Sequence, residues 1–410
     1  MRRLKKTLWT KNFTLVTAAS ALGAVGGIAG GFALSFLVFD ETGSTLASAL
    51  ILAIQLVPFF VLPLFLAPVM DRLPRKPFLV AGDLIDGVLY ALMGLYLLKF
   101  EFSYAAYLGY SLLLACLESF DELAFQSIYP KLIPEGMEQQ GYAVSTTLYP
   151  ILRVLMLPLA GVLLDAVGAA WILIGQGGLS LLAALIESNI DITEHRREGG
   201  EKLFTLRQWR ADIKEAAEYL KNERGVTGIF SYMAVTNGVA SGYSSILVAF
   251  FRTFPGFTAA MYSLFSVFEF AGRTLGGAVQ YKLKIAKEKK FGFTFIVYQI
   301  YELMDMCLLW LPYPLMLANR ALVGFLGANS ATMRQAAMQT YIPEELRARL
   351  NAFQNMLITA ASGVFTLAIG ALGEVLDYRL CVTICGATAF IAAWLLVWRR
   401  RADVRKIFEK

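Results

Sequence analysis

Roughly a dozen apolar stretches of about 20 or more residues follow one another along this chain, separated by short charged loops. A bilayer hydrocarbon core about 30 Å thick takes roughly 20 helical residues to cross. A soluble domain has nowhere to bury so many such stretches, so the expected class is an all-α membrane protein. Charged residues make up only 17% of the 410 residues, against about 25% in soluble domains. The net charge of +6 then has a plain source in the basic flanks that orient membrane helices. Nucleic-acid binding is not needed to explain it.

The hydropathy pattern predicts spans at 13–39, 44–70, 78–99, 102–126, 141–166, 169–190, 226–252, 257–283, 291–311, 313–340, 348–376 and 379–400. The run from Phe13 follows a basic N-terminus but is too long for the apolar part of a signal peptide, so it reads as span one. A charged segment, 191–225, divides the chain into a six-span bundle over 1–190 and another over 226–410. Within the segment, Leu206, Trp209, Ile213 and Leu220 recur at helical spacing among Arg207, Arg210, Lys214 and Lys221, the pattern of an amphipathic surface helix. With the N-terminus inside, one set of loops collects nearly all the loop lysines and arginines, and the other holds only Lys99, Arg252 and Arg379. Both termini are therefore expected on the cytoplasmic side of the cell membrane.

Several function classes drop out. The single histidine, His195, sits among charges in the central segment. Cys116, Cys307, Cys381 and Cys385 lie in apolar spans without metal-ligand spacing. No nucleophile-base pair, metal constellation or phosphate-binding glycine loop is present, so no enzyme activity, cofactor or direct ATP drive is expected.

The two halves resemble each other. The stretch from Phe125-Gln126 to Ile133-Pro134-Glu135 ends span four, and that from Arg334-Gln335 to Ile342-Pro343-Glu344 ends span ten. The same offset matches Gly161 with Gly370 and Asp165 with Glu374. Duplicated halves that meet around a midplane site are a transporter design.

Between spans two and three, Ala67-Pro-Val-Met-Asp71-Arg72-Leu-Pro-Arg75-Lys76 resembles the G-x-x-x-D-R-x-G-R-K loop of the major facilitator superfamily. Asp40-Glu-Thr-Gly-Ser44 and Ile133-Pro134-Glu135 resemble its macrolide-efflux and siderophore-export branch. The resemblance implies two pseudo-symmetric six-helix bundles working by alternating access, and a monomer. It gives Asp71, Arg72, Arg75 and Lys76 the part of a cytoplasmic latch. Pro158 and Gly161 match part of the hinge motif of antiporters in span five. Departures stand beside these matches: Ala67 and Pro74 replace the loop glycines, Leu157 and Ala160 replace glycines of the antiporter motif, and Tyr281 stands where the second-half loop would carry aspartate. Leu114 replaces an arginine that many drug-proton antiporters of the family carry in span four.

Ionisable groups at membrane depth cost roughly 2.5–3.5 kcal/mol each on insertion scales, so they persist when paired or useful. Glu118, Asp121 and Glu122 in span four share a helical face by spacing. Glu118 lies roughly 20 Å from the inner end of its span and Arg153, on span five, roughly 18 Å, so the two should pair. Three carboxylates in low-dielectric space cannot all ionise easily, and one of them should hold a proton. In one reading Glu118 and Asp121 carry protons beside Arg153; in the other the pair merely locks two helices. Glu269 and Arg273, one turn apart in span eight, form either a self-satisfied pair or a second part of the site. Arg320 and Arg334 are expected to snorkel at the ends of span ten, and Glu302 and Asp305 in span nine have no assigned partner. Span one repeats Gly23, Gly26, Gly27, Gly30 and Gly31, a packing surface for close helix approach.

These observations predict a secondary active transporter for an amphipathic small molecule, a proton-coupled, multidrug-type efflux antiporter in the sense the resemblance implies. The expected partners are the substrate, protons and lipid, with no nucleic acid. An importer or uniporter of an organic solute is the alternative within transport, and a transport-inactive sensor the alternative outside it.

Overall fold

The computed structural model describes residues 7–70, 74–192, 206–282 and 285–409. They form α1 (Lys11–Thr42), α2 (Thr45–Met70), α3 (Lys76–Lys99), α4 (Tyr104–Leu132), α5 (Glu138–Val167), α6 (Ala169–Ser188), α7 (Leu206–Asn222), α8 (Arg224–Thr253), α9 (Ala259–Lys282), α10 (Lys287–Cys307), α11 (Tyr313–Tyr341), α12 (Glu344–Gly373), α13 (Tyr378–Ala392) and α14 (Arg401–Glu409). No strand occurs among the described residues. A π turn and a 3-10 turn join α13 to α14.

The expected twelve spans correspond to α1–α6 and α8–α13, with α7 in the central segment. Among the described residues, eight helices are long and apolar enough to cross a bilayer on length and composition alone. Helices α4, α9 and α11 are as long, but Glu118, Asp121 and Glu122, Glu269 and Arg273, and Arg320 and Arg334 lower their hydropathy. Outward faces carry bare aliphatic side chains such as Leu155, Leu185 and Val364. That is stable against lipid and not against water.

The duplication read from sequence reappears in packing. In the first half α1 packs on α5 and α6, and α3 on α4 and α6. In the second, α8 packs on α12 and α13, and α10 on α11 and α13. Each pairing recurs at the same place in its half.

Two compact units emerge, and the helices do not divide cleanly between them. The first unit holds 1–42, 54–203 and 258–263; the second holds 43–53, 204–257 and 264–410. The start of α2 thus belongs with the second unit and the start of α9 with the first.

Small residues set the closest contacts. Gly26 and Gly30 of α1 face Gln176 of α6, whereas Gly23, Gly27 and Gly31 have open space around them. Only part of the glycine stripe is therefore a helix contact. In the second unit Gly272 and Gly324 bring the α9 and α11 backbones together. Its core joins α8, α10 and α13 to α14, which buries Val404, Ile407 and Phe408.

Candidate functional site

The acidic helix α4 starts at Ser103, whose hydroxyl accepts a hydrogen bond from the Ala106 amide at 3.5 Å. Its three carboxylates do not act on one neighbour. At 3.6 residues per turn, positions 118, 121 and 122 spread over about 100° of arc, enough to meet two sides. Asp121 is pressed against Gly82 of α3, where an added Cβ would stand 3.0 Å from its carboxylate oxygen. Glu118 keeps an exposed edge and interacts electrostatically with Asp86 of α3. Glu122 turns the other way, accepts a hydrogen bond from Gln126, and lines a cavity.

That cavity has a volume of about 370 Å³ and lies among α1, α4 and α5 of the first unit. Thr17 and Ser20 line it from α1, Glu122 and Tyr129 from α4, Ser145 and Tyr149 from α5. Tyr129 is fixed by donating to the Gly141 carbonyl at 2.7 Å. The wall therefore combines aromatic faces, small hydroxyls and a single carboxylate. Such a mixture suits a molecule with an apolar body and a polar or cationic end.

Arg153 is exposed, and among the described residues it forms no ion pair with Glu118. The pairing expected from matched depth is absent; Glu118 interacts electrostatically with Asp86 of α3. Glu269 and Arg273 do pair, with Arg273 Nη2 2.7 Å and Nε 3.0 Å from the same carboxylate oxygen. The contact lies along one helix.

The second unit holds a network that the sequence reading missed. Arg320, only 3% exposed, pairs with Asp305 and donates to Asn319 Oδ1 at 3.0 Å and to the Tyr243 hydroxyl at 3.4 Å. Glu302, also 3% exposed, accepts from the Tyr232 hydroxyl at 3.3 Å. Arg334 donates to the Tyr298 hydroxyl at 3.1 Å. Arg320 therefore does not snorkel; it neutralises Asp305 in the interior. Counting residues back and forward from the short α10–α11 connection would have placed Asp305 and Arg320 at similar depth.

The first unit likewise contains acids missed in the sequence. Asp83 and Asp86 of α3 and Glu187 of α6 join the α4 group electrostatically. Carboxylates inside apolar spans were themselves the available signal.

Antiporter-motif residues sit at a helix terminus. Gly161 of α5 lies against Ala259 and Ala260, where an added Cβ would be 2.7 Å from the Ala260 Cα, and Asp165 accepts from the Ala260 amide at 3.2 Å. Pro158 lies within α5 one turn earlier. Their sequence counterparts do the same at α2. Gly370 lies against Ala49, while Glu374 accepts from Ser44 Oγ at 2.7 Å, the Leu46 amide at 2.9 Å and Thr45 Oγ1 at 3.1 Å. These donors, the Leu46 amide foremost, hold the Glu374 carboxyl below its ordinary value. Of the latch residues, Asp71 and Arg72 lie outside the described residues. Arg75 is half-buried at the start of α3, and Lys76 donates to the Ser188 carbonyl at 2.8 Å.

A family model described as Major Facilitator Superfamily matches residues 15–298 and 300–409. Similar solved structures include a bacterial homolog of the human lysosomal transporter Spinster in an inward-facing, unoccupied conformation (13% identity, 97% of this chain and 96% of that one, TM-score 0.67). A bacterial metal transporter (14% identity, 97% and 100%, TM-score 0.67) and the peptide transporter POT with alafosfalin (12% identity, 98% and 97%, TM-score 0.69) are also similar. At these identities the likeness concerns the fold. No curated protein matches the chain.

Proposed function

Because the chain belongs to the major facilitator superfamily, we propose that it exports an amphipathic small molecule with a cationic or polar end, driven by inward proton flow. It is a multi-pass membrane carrier and not an enzyme. The cavity of about 370 Å³ among α1, α4 and α5 carries the reading. Tyr149 offers its exposed ring to an apolar body, with the buried Tyr129 behind the wall, and Glu122 offers a carboxylate to a cation. Glu118 and Asp121 stand within one turn of Glu122 on the same helix. A proton on either changes the field at Glu122, which is the coupling that exchange of a cation for a proton requires.

In this reading Arg153, one turn beyond Tyr149 on α5, approaches the α4 acids only in another conformation of the cycle. Glu269 and Arg273 stay a local pair. Pro158 and Gly161 supply the hinge of α5, and the segment from Asp71 to Lys76 the latch on the cytoplasmic side. The similarity of Asp40–Ser44 and Ile133–Glu135 to the macrolide-efflux and siderophore-export branch supports outward transport.

Purified protein in vesicles loaded with a fluorescent organic cation tests this. An inward proton gradient should accelerate export. Glu122→Gln should abolish both export and substrate counterflow. Glu118→Gln and Asp121→Asn should abolish acceleration by the gradient while leaving counterflow intact. Gradient-driven export unchanged in both of the latter variants would refute the assignment of the proton carriers.

A further inference from the structure

One layer of the first unit holds far more negative charge than its surroundings answer. Asp83 and Asp86 stand one turn apart on α3, and Glu187 is the penultimate residue of α6. The two helices touch through backbone: a Cβ on Gly177 would stand 2.6 Å from the Gly87 carbonyl oxygen. Glu187 is 3% exposed and acts electrostatically on Asp83 and Asp121. Asp121 in turn interacts with Asp83, Asp86, Glu118 and Glu122. Among the described residues none of Asp83, Asp86, Glu118, Asp121 or Glu187 has an ion-pair partner. Lys76, at the same end of α3 as Glu187, gives its hydrogen bond to the Ser188 carbonyl.

Beside the unpartnered hydroxyls of Tyr110 and Ser119, four buried oxygens of this layer can only accept. Glu187 Oε2, Asp86 Oδ1 and Asp121 Oδ1 are buried without hydrogen-bond partners. So is the amide oxygen of Gln176, a side chain only 5% exposed on α6 that reaches Asp86 and sets this oxygen against Gly26 of α1. All four are acceptors that lack a donor. Ser180 supplies one donor, to Asp86 Oδ2 at 3.4 Å. Carboxylates and amide oxygens cannot donate to one another, but a protonated carboxyl can. A metal ion would also satisfy acceptors, yet among the described residues no three acidic, histidine or cysteine groups converge on one point.

We propose that Glu187, Asp83, Asp121 and Asp86 form a proton-binding ladder that joins the α6 end of the layer to Glu118 on α4. Each transfer moves one proton from a carboxyl O–H to the neighbouring carboxylate oxygen. No electron moves and the summed charge is conserved. Tyr90 and Tyr110, which interact electrostatically with both Asp86 and Glu118, cover the ladder's far end. Asp83 to Tyr90 spans about 10 Å along α3. The ladder lies on the α3 side of α4, apart from the cavity that Glu122 lines. It rests on the proton-coupled reading of α4 and extends it to three residues on two further helices.

Isotope-difference infrared spectroscopy on the purified full chain in detergent counts protonated carboxyl groups without needing transport. At neutral pH the wild type should show protonated-carboxyl C=O absorption from this layer. Glu187→Gln and Asp83→Asn should each remove about one carboxyl group's share, with thermal unfolding confirming the fold. In vesicles the same variants should slow gradient-driven export several-fold and spare counterflow. Absorption absent from the wild type, unchanged in both variants, or removed by sodium at constant pH would overturn the ladder. Absence of counterflow in the wild type would instead overturn the transport reading and leave the infrared result standing.

Discussion

The α3–α4–α6 layer of the first unit and the α10–α11 layer of the second occupy corresponding places in the duplicated fold, yet they handle buried charge in opposite ways. In the second, Asp305 meets Arg320 and Glu302 meets a tyrosine hydroxyl. In the first, five carboxylates gather without an ion-pair partner among the described residues. One layer is locked by a permanent counter-charge. In the reading proposed above, protons neutralise the first layer, whereas Arg320 gives Asp305 of the second a fixed counter-charge. The helix pairings recur in both halves, and the charged side chains set on them do not.

The difference is sharpest on removing a charge. Arg320→Gln leaves the half-buried Asp305 without its cation and should destabilise the protein by about 3 kcal/mol, read as thermal or denaturant unfolding in detergent. Arg320→Leu combined with Asp305→Leu should recover most of that loss. Asp121→Asn removes a charge with no ion-pair partner among the described residues, so stability should stay within about 1 kcal/mol of wild type while proton coupling is lost. Equal losses for Arg320→Gln and Asp121→Asn would erase the distinction between the layers.

Packing offers a second contrast. The atoms nearest an added Cβ on Gly177 are the Gly87 carbonyl oxygen and the backbone nitrogen and Cβ of Ala91, whereas on Gly386 the nearest is the flexible Met306 side chain, followed by the Met306 amide and the Glu302 carbonyl. Gly177→Val should therefore cost more than Gly386→Val, each within about 1–3 kcal/mol, measured as the shift in unfolding temperature. A control at Gly178, with open space around it, should change little.

The smallest effect belongs to the carboxylate at the start of α2. Glu374 is exposed, so its interaction with the helix terminus should contribute only about 0.5 kcal/mol. Its carboxyl titrates lower in the folded state than in the unfolded chain. The contribution is therefore complete above the ordinary carboxylate range and fades as pH falls through the lowered value. Glu374→Gln should remove that pH dependence of unfolding without altering the behaviour of the two buried layers.

The membrane class, the helices, the amphipathic pattern now seen as α7 and the internal repeat were all legible, because each depends on the length and character of contiguous residues. The repeat even carried Gly161 with Gly370 and Asp165 with Glu374, positions that the fold sets against two helix starts. Charge partners were not legible in the same way. Depth matches Glu118 with Arg153, yet among the described residues the two form no ion pair and Glu118 interacts electrostatically with Asp86. The sequence leaves Asp305 without a partner and puts Arg320 at a helix end, whereas the two form an ion pair in which Arg320 is buried.

Depth along a helix follows from counting at 1.5 Å per residue, and counting needs no neighbours. Rotation about the helix axis does not: it is set by where small residues let a neighbour approach, the Asp121 side chain over Gly82 and backbone against backbone at Gly87 and Gly177. The chain's own residues thus set how deep each carboxylate lies. Packing of one helix on the next settled whether it would meet an arginine, a cavity or another acid.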